Sequence, residues 1–463
     1  MSENISEELN YSPVVNNHST VIFRKVAPQG NNSVTLSAAG AVGPTEIIIA
    51  PSVFNPAKSR LNFTLTSNSA AGANYTWLNG NGLSSLSRVV VYDSATNALL
   101  ADISNFSQYA ALATPSGTSF EEFSTKSLPM NSGVLPSVGA TGSFNGFYED
   151  IYKCNDLTNP IFSGTGAITG LANATGPNSY FSRQQCTPSA FTGTNAQVVV
   201  DYSIPLSAVK HSFMSLNRNV YSPSNLVLQI YWNATDNFAW SAGQNTNPAA
   251  ATIASVASGT ISNIALQLAN EGNLAIVSQV INKVMTSGVS VPIAYPTVTR
   301  QQFTSTAPSY QLQLTKGYGQ RILAILTAPF SASSDINERN DHRRGALTFY
   351  NTFLNNVALK YPSGFDCTKT EDYVYGNREY LKGSTVQTVG EYIFAEWLHC
   401  DSFVGEKPLY MLDQTQIDGL DVGAQSSTWS IQTTLSASTT YNFITAIIGQ
   451  KVATFTNAGV MVQ

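Results

Sequence analysis

The chain has 463 residues, only 11% of them charged, and a formal net charge of −5. The length allows two or three domains, and the charged fraction is under half of the roughly 25% usual in soluble proteins, so the polar surface must be mostly Ser, Thr, Asn and Gln. No Lys/Arg-rich run occurs at either end, which argues against a basic arm that neutralises nucleic-acid phosphates. No apolar run approaches the roughly 20 residues of a membrane-spanning helix.

The first residues, MSENISEELNYS, are acidic and lack an apolar core. No secretory signal is expected, and residues 1–19 read as an N-terminal arm. A period of two then dominates. Leu61, Phe63 and Leu65 alternate with Asn62, Thr64 and Thr66, as in a half-buried strand. The runs EIII (46–49), RVVVY (88–92) and VVV (198–200) are apolar on both faces and suit central strands. Residues 111–195 are rich in Gly, Ser, Thr, Asn and Pro, too long for an ordinary connection, and read as elaborated loops. In SIPLSAVKHSFMSLNRNVYSPSNLVLQIYW (203–232), one strand ends at Pro205 and another puts Leu226, Leu228, Ile230 and Trp232 on one face. Ile264, Leu266 and Leu268 mark a further strand.

One segment breaks the pattern. Gly272–Gly288 carries Leu274, Val277, Ile281, Val284 and Met285 at helical spacing, with Asn273 placed as N-cap and Gly288 as the stop. It reads as a connector between two β blocks, 20–271 and 289–463. The second block shows alternation at Leu312 and Leu314 and at Trp429 and Ile431, and a two-sided run in RILAIL (321–326). Residues 361–409 read as its long loops.

Chemistry is poorly represented. No phosphate loop, nucleophile elbow or H-E-x-x-H occurs. GYG (317–319) lies between strands and reads as a hairpin turn. His399 and Cys400 are adjacent, so in a strand they point to opposite faces and cannot work as a pair. The charged run DINERNDHRRG (335–345) has mixed signs and reads as a solvated loop or subunit contact, although paired carboxylates for glycoside chemistry could lie there. Cys154, Cys186, Cys367 and Cys400 lack zinc-ligand spacing, and His18, His211 and His342 are scattered. No catalytic, cofactor-binding or metal-binding residue is assigned, and no cofactor is expected.

Five pieces in order carry a resemblance: PSVFNPAKSRLNFTLT (51–66), LSSLSRVVVYDSATNALLADISNFSQY (83–109), IPLS followed by LVLQIYW (204–232), ISNIALQL before the helix (261–268), and RILAIL. Together they resemble the double jelly-roll major capsid proteins of tailless double-stranded DNA viruses, the virophage and polinton-like branch most closely. The resemblance implies an all-β chain of two consecutive jelly-roll sandwiches with a short connecting helix and long loop insertions. It implies a structural subunit, not an enzyme, whose homotrimers form pseudo-hexagonal tiles of an icosahedral shell. The expected location is the virion. Expected partners are other copies of the chain, penton and minor capsid proteins, with room for an internal membrane beneath the shell and no direct nucleic-acid binding. The competing readings are a secreted or surface-displayed glycan-binding β-sandwich and a polysaccharide-processing enzyme.

Overall fold

The computed structural model describes residues 18–37, 40–41, 43–68, 75–78, 82–117, 185–187, 197–234, 239–242, 258–303, 309–331, 347–355, 357–358, 394–397, 420–422, 426–435 and 441–463. Residues 1–17 of the arm, most of the two loop regions, the charged run 335–345, His399, and Cys154, Cys367 and Cys400 lie outside them.

The first half begins with β1 (Val21–Val26). Eight further strands build the sandwich: β2 (Ser33–Ser37), β3 (Pro44–Ile49), β4 (Arg60–Asn68), β5 (Leu86–Asp93), β6 (Leu99–Ile103), β7 (Gln197–Pro205), β8 (Leu226–Trp232) and β9 (Ser258–Glu271). They form two antiparallel sheets, ordered β7-β4-β9-β2 and β3-β8-β5-β6. Short strands at Gly40–Ala41, Val53–Phe54 and Val220–Tyr221 extend the first sheet, and a small third sheet joins Tyr75–Leu78, Gln185–Thr187 and Ala239–Ala242. Cys186 sits in that small sheet.

The second half repeats the order. Its strands are β10 (Val289–Phe303), β11 (Ser309–Leu314), β12 (Arg321–Ser331), β13 (Leu347–Leu354), β14 (Val357–Ala358), β15 (Phe394–Trp397), β16 (Ser427–Leu435) and β17 (Tyr441–Thr456). The sheets run β10-β17-β12-β15 and β11-β16-β13-β14, and β18 (Gly459–Val462) folds back on β17. Numbering the eight strands from one within each half, both halves give 1-8-3-6 and 2-7-4-5. That is the jelly-roll pairing, two four-stranded sheets face to face, found twice.

The cores follow from the period-two pattern. Leu61, Phe63 and Leu65 of β4 meet Leu226, Leu228, Ile230 and Trp232 of β8 inside the first sandwich, all buried. Between β7 and β8 the chain crosses from one sheet to the other through two 3₁₀ turns at Leu206–Ala208 and Phe213–Ser215. Pro205 pairs with Arg60 at the end of the β7 ladder, where a missing N–H costs least. In the second half β10 carries Pro292 and Pro296 along a 15-residue pairing with β17. Among the described residues β10 pairs with no other strand, so both prolines sit on an edge, the place a sheet tolerates them.

Three expectations need correction. Residues 46–49 and 198–200 belong to edge strands: among the described residues β3 pairs only with β8, and β7 only with β4. In β3, Ile48 is half-buried while Ile47 and Ile49 are buried. The turn at 317–319 is not a hairpin, because β11 and β12 lie in different sheets. It is a 3₁₀ corner, Lys316–Tyr318, pressed on β17 so closely that a Cβ at Gly449 would meet the Tyr318 carbonyl oxygen 1.8 Å away. Finally, the region from 111 does not begin as a loop. Helix α1 spans Phe106–Gly117, with Phe106, Tyr109, Ala110 and Ala113 buried at the i, i+3, i+4, i+7 spacing of a helix face.

The predicted connector is helix α2, Leu274–Ser287. Asn273 caps it, its side chain accepting from the Ala275 N–H at 3.0 Å, and it ends at Gly288.

Candidate assembly site and the seam between the halves

The outer face of the β3-β8-β5-β6 sheet carries Arg88, Val90, Asp102, Val227 and Gln229, by alternation with the core residues. Val90 and Val227 are nevertheless buried. The second half lies against the edge of this sheet: the Ser104 hydroxyl donates to the Val298 carbonyl of β10 at 3.5 Å. Arg88 grips Asp102 with two parallel bonds of 2.7 Å, the fork geometry that makes Arg–carboxylate pairs directional. The hydrogen bond to Asp102 is the main reason the Arg88 pKa is raised. Tyr295 of β10 is buried beside this pair. Burial first, then the Asp102 charge, pushes its phenol up to about 12, with Arg88 opposing. The Lys451 ammonium stands 3.7 Å from the Tyr295 ring centre, and burial lowers its pKa. The seam therefore sets charged and polar groups of the two halves close together, beside the buried Val90 and Val227.

A second tie lies at Asp93, fully buried at the end of β5. Its Oδ2 accepts from the Thr96 N–H at 3.1 Å and the Val460 N–H at 3.3 Å, with the Thr96 hydroxyl at 2.7 Å. Its Oδ1 accepts from the hydroxyls of Ser224 and, at 3.4 Å, Ser222. Thr96 Oγ1 is also within 2.5 Å of the Val460 carbonyl. One carboxylate thus fixes the β5–β6 turn, the turn before β8, and strand β18 of the other half. Gly459 is required there: its φ is +119°, and a Cβ would stand 2.7 Å from Asp93 Oδ2.

The third tie organises the start of the chain's described part. Glu271, buried at the end of β9, accepts from the Ser19 hydroxyl at 2.5 Å, the Thr20 N–H at 2.9 Å, the Asn273 N–H at 2.9 Å and the Asn219 amide at 2.8 Å. Burial alone would raise its pKa, but these four donors together outweigh it and hold the carboxyl below its ordinary value. Such a group stabilises the fold above its unfolded pKa of about 4.3, and the contribution is lost as pH falls through the lower folded value. Glu271→Gln is expected to cost about 1–2 kcal/mol at pH 7, the worth of a charge-assisted bond replaced by a neutral one. Thermal unfolding followed from pH 7 to pH 3 should show the two proteins converging at the acid end; a constant gap across that range would contradict the role given to the charge.

Among the described residues no group of three or more His, Cys, Asp or Glu comes together, and no helix is long and apolar enough to cross a membrane. His211 sits at φ +52°, and burial, with Lys210 adding, pushes its pKa down to about 3, so its imidazole is neutral. The ties at Asp93, Glu271 and Arg88–Asp102 were not legible in the sequence. Asp93 and Asp102 stand in the run 83–109, but nothing there signals which acid is buried.

The sequence matches no family model and no curated protein. Solved structures do match over nearly the whole chain. A chain of the Sputnik virophage, determined by cryo-EM, gives a TM-score of 0.53 at 9% identity, covering 96% of this chain and 88% of that one. The mavirus major capsid protein gives 0.51 at 10% identity, covering 95% and 90%. The Faustovirus major capsid protein gives 0.51 at 10%, covering 94% and 90%. Likeness at this level of identity carries the fold alone, and the fold is that of the double jelly-roll major capsid proteins.

Proposed function

We propose that this chain is the major capsid protein of a double-stranded DNA virus, three copies of which form a pseudo-hexagonal tile of an icosahedral shell. The observation that carries the reading is the repeated strand order. Two like sandwiches per chain, times three chains, give six similar units around a threefold axis. Full-length likeness to the virophage and Faustovirus proteins supports it. Residues 20–271 and 289–463 are the two building units, and 272–288 the connector. A surface with few charges suits repeated contacts, because neutral polar groups cost less to desolvate than ions. Neighbouring tiles, penton and minor capsid proteins are the proposed partners, and the virion the proposed location.

Light scattering during size-exclusion chromatography tests the oligomer. The expected mass is three times the chain mass of 49.6 kDa. It should persist on dilution, since contacts of this kind bury roughly 2,000 Å² or more. A stable folded monomer at micromolar concentration would overturn the reading.

A further inference from the structure

Among the described residues, strand β1 is an edge strand with nothing over it. It pairs with β9 alone, Val21 opposite Glu271 through Val26 opposite Leu266. All residues from Val21 to Lys25 are exposed, including Ile22 at 58% and Phe23 at 55%. Next to it, Leu274 opens α2 at 80% exposure, and of that helix's apolar stripe only Val284 is buried. An open edge beside apolar side chains is a template for a further strand, which proteins ordinarily blunt or cover.

The patch is rigid. Glu271 holds Ser19 and Thr20, Gly272 N–H donates to the Thr20 carbonyl at 2.7 Å, and the Asn273 amide donates to the His18 carbonyl at 3.0 Å. Little ordering is left for a partner to impose on it. It is also basic: Arg24 and Lys25 are exposed, and among the described residues neither forms an ion pair. Antiparallel pairing of β1 with β1 of another copy would bring four cations together, so the charge selects an acidic partner.

The 17 residues preceding His18 have that chemistry. They contain Glu3, Glu7 and Glu8, no Lys or Arg, and the apolar Ile5, Leu9, Tyr11, Val14 and Val15. Extended, they reach roughly 55–60 Å. His18–Thr20 continue β1 past the end of β9 to the start of α2, so an arm of the same chain would have to reverse direction before it could lie on the open edge. We infer that residues 1–17 of a second copy dock as an added strand on β1, their glutamates facing Arg24 and Lys25 and their apolar side chains covering Ile22, Phe23 and Leu274.

This goes beyond the shell reading, and its test needs no shell. Full-length protein is treated with a carbodiimide, which joins a lysine amine to a touching carboxylate with loss of water. The products are separated on a denaturing gel and mapped by mass spectrometry. The inference expects Lys25 joined to Glu3, Glu7 or Glu8 in the band of two linked chains. Arg24→Glu, which leaves Lys25 in place, should cut that yield at least fivefold with the unfolding midpoint unchanged. The same pairs only in the single-chain band would mean that the arm covers its own strand. Lys25 joined to other carboxylates would mean another occupant, and no product at Lys25 an open edge. Each of these three results overturns the inference whatever the oligomer.

Discussion

Trp232→Ala is expected to destabilise the first sandwich by about 3–5 kcal/mol, the range for deleting a large buried aromatic. Trp232 is 1% exposed and stands among the largest side chains sealed in the core. Its ring meets Phe63 edge-on, centroids 5.0 Å apart, and its indole N–H donates to the Thr45 hydroxyl at 2.8 Å. The substitution therefore removes apolar contact, opens a cavity between the sheets, and takes the donor from Thr45, itself buried. Trp232→Phe separates these parts: it keeps most of the ring contact and loses the hydrogen bond, for about 1 kcal/mol plus the smaller ring's lost packing. Denaturant titration checks both. An alanine variant unfolding at the wild-type midpoint would show that the β8 register is wrong.

Asp93→Ala is expected to cost about 3 kcal/mol or more, because bonds to a charged acceptor are worth roughly 1.5–3 kcal/mol each and several donors lose their partner at once. Thr96, Ser222, Ser224 and the Val460 N–H all converge on this carboxylate. The loss should have a location. Amide exchange should quicken at Val460 and along β18, whose hold on the other half runs through Asp93. Exchange there at the wild-type rate, with stability unchanged, would mean that the two halves are joined without this tie. Asp93→Asn keeps the shape and one acceptor oxygen but loses the charge, and should fall between the two.

Much of the fold was legible because alternation is a local signal. Leu226, Leu228, Ile230 and Trp232 could be set on one face by spacing alone, and that face is buried. Asn273 and Gly288 could be set at the ends of a helix because capping needs only neighbouring residues. The misses have physical causes too. Strand β1 shows no alternation because neither of its faces is covered. Pattern fails differently at β3: three isoleucines in a row, Ile47 to Ile49, resemble a central strand whether or not a neighbour lies on both sides. Helix α1 had a usable signal in Phe106, Tyr109, Ala110 and Ala113, obscured by the polar residues that follow it. The ties at Asp93 and Glu271 join residues more than two hundred positions apart, Asp93 to Val460 and Glu271 to Ser19. No window of sequence contains both ends of such a bond.

In the proposed shell each chain supplies two equivalent sandwiches to a threefold tile. Electron micrographs of the purified, undenatured protein, averaged by view, test it most directly. The expected particle has a near-hexagonal outline with six similar lobes and true threefold symmetry, two lobes to each chain. Isolated two-lobed particles, or closed rings of another symmetry, would contradict it.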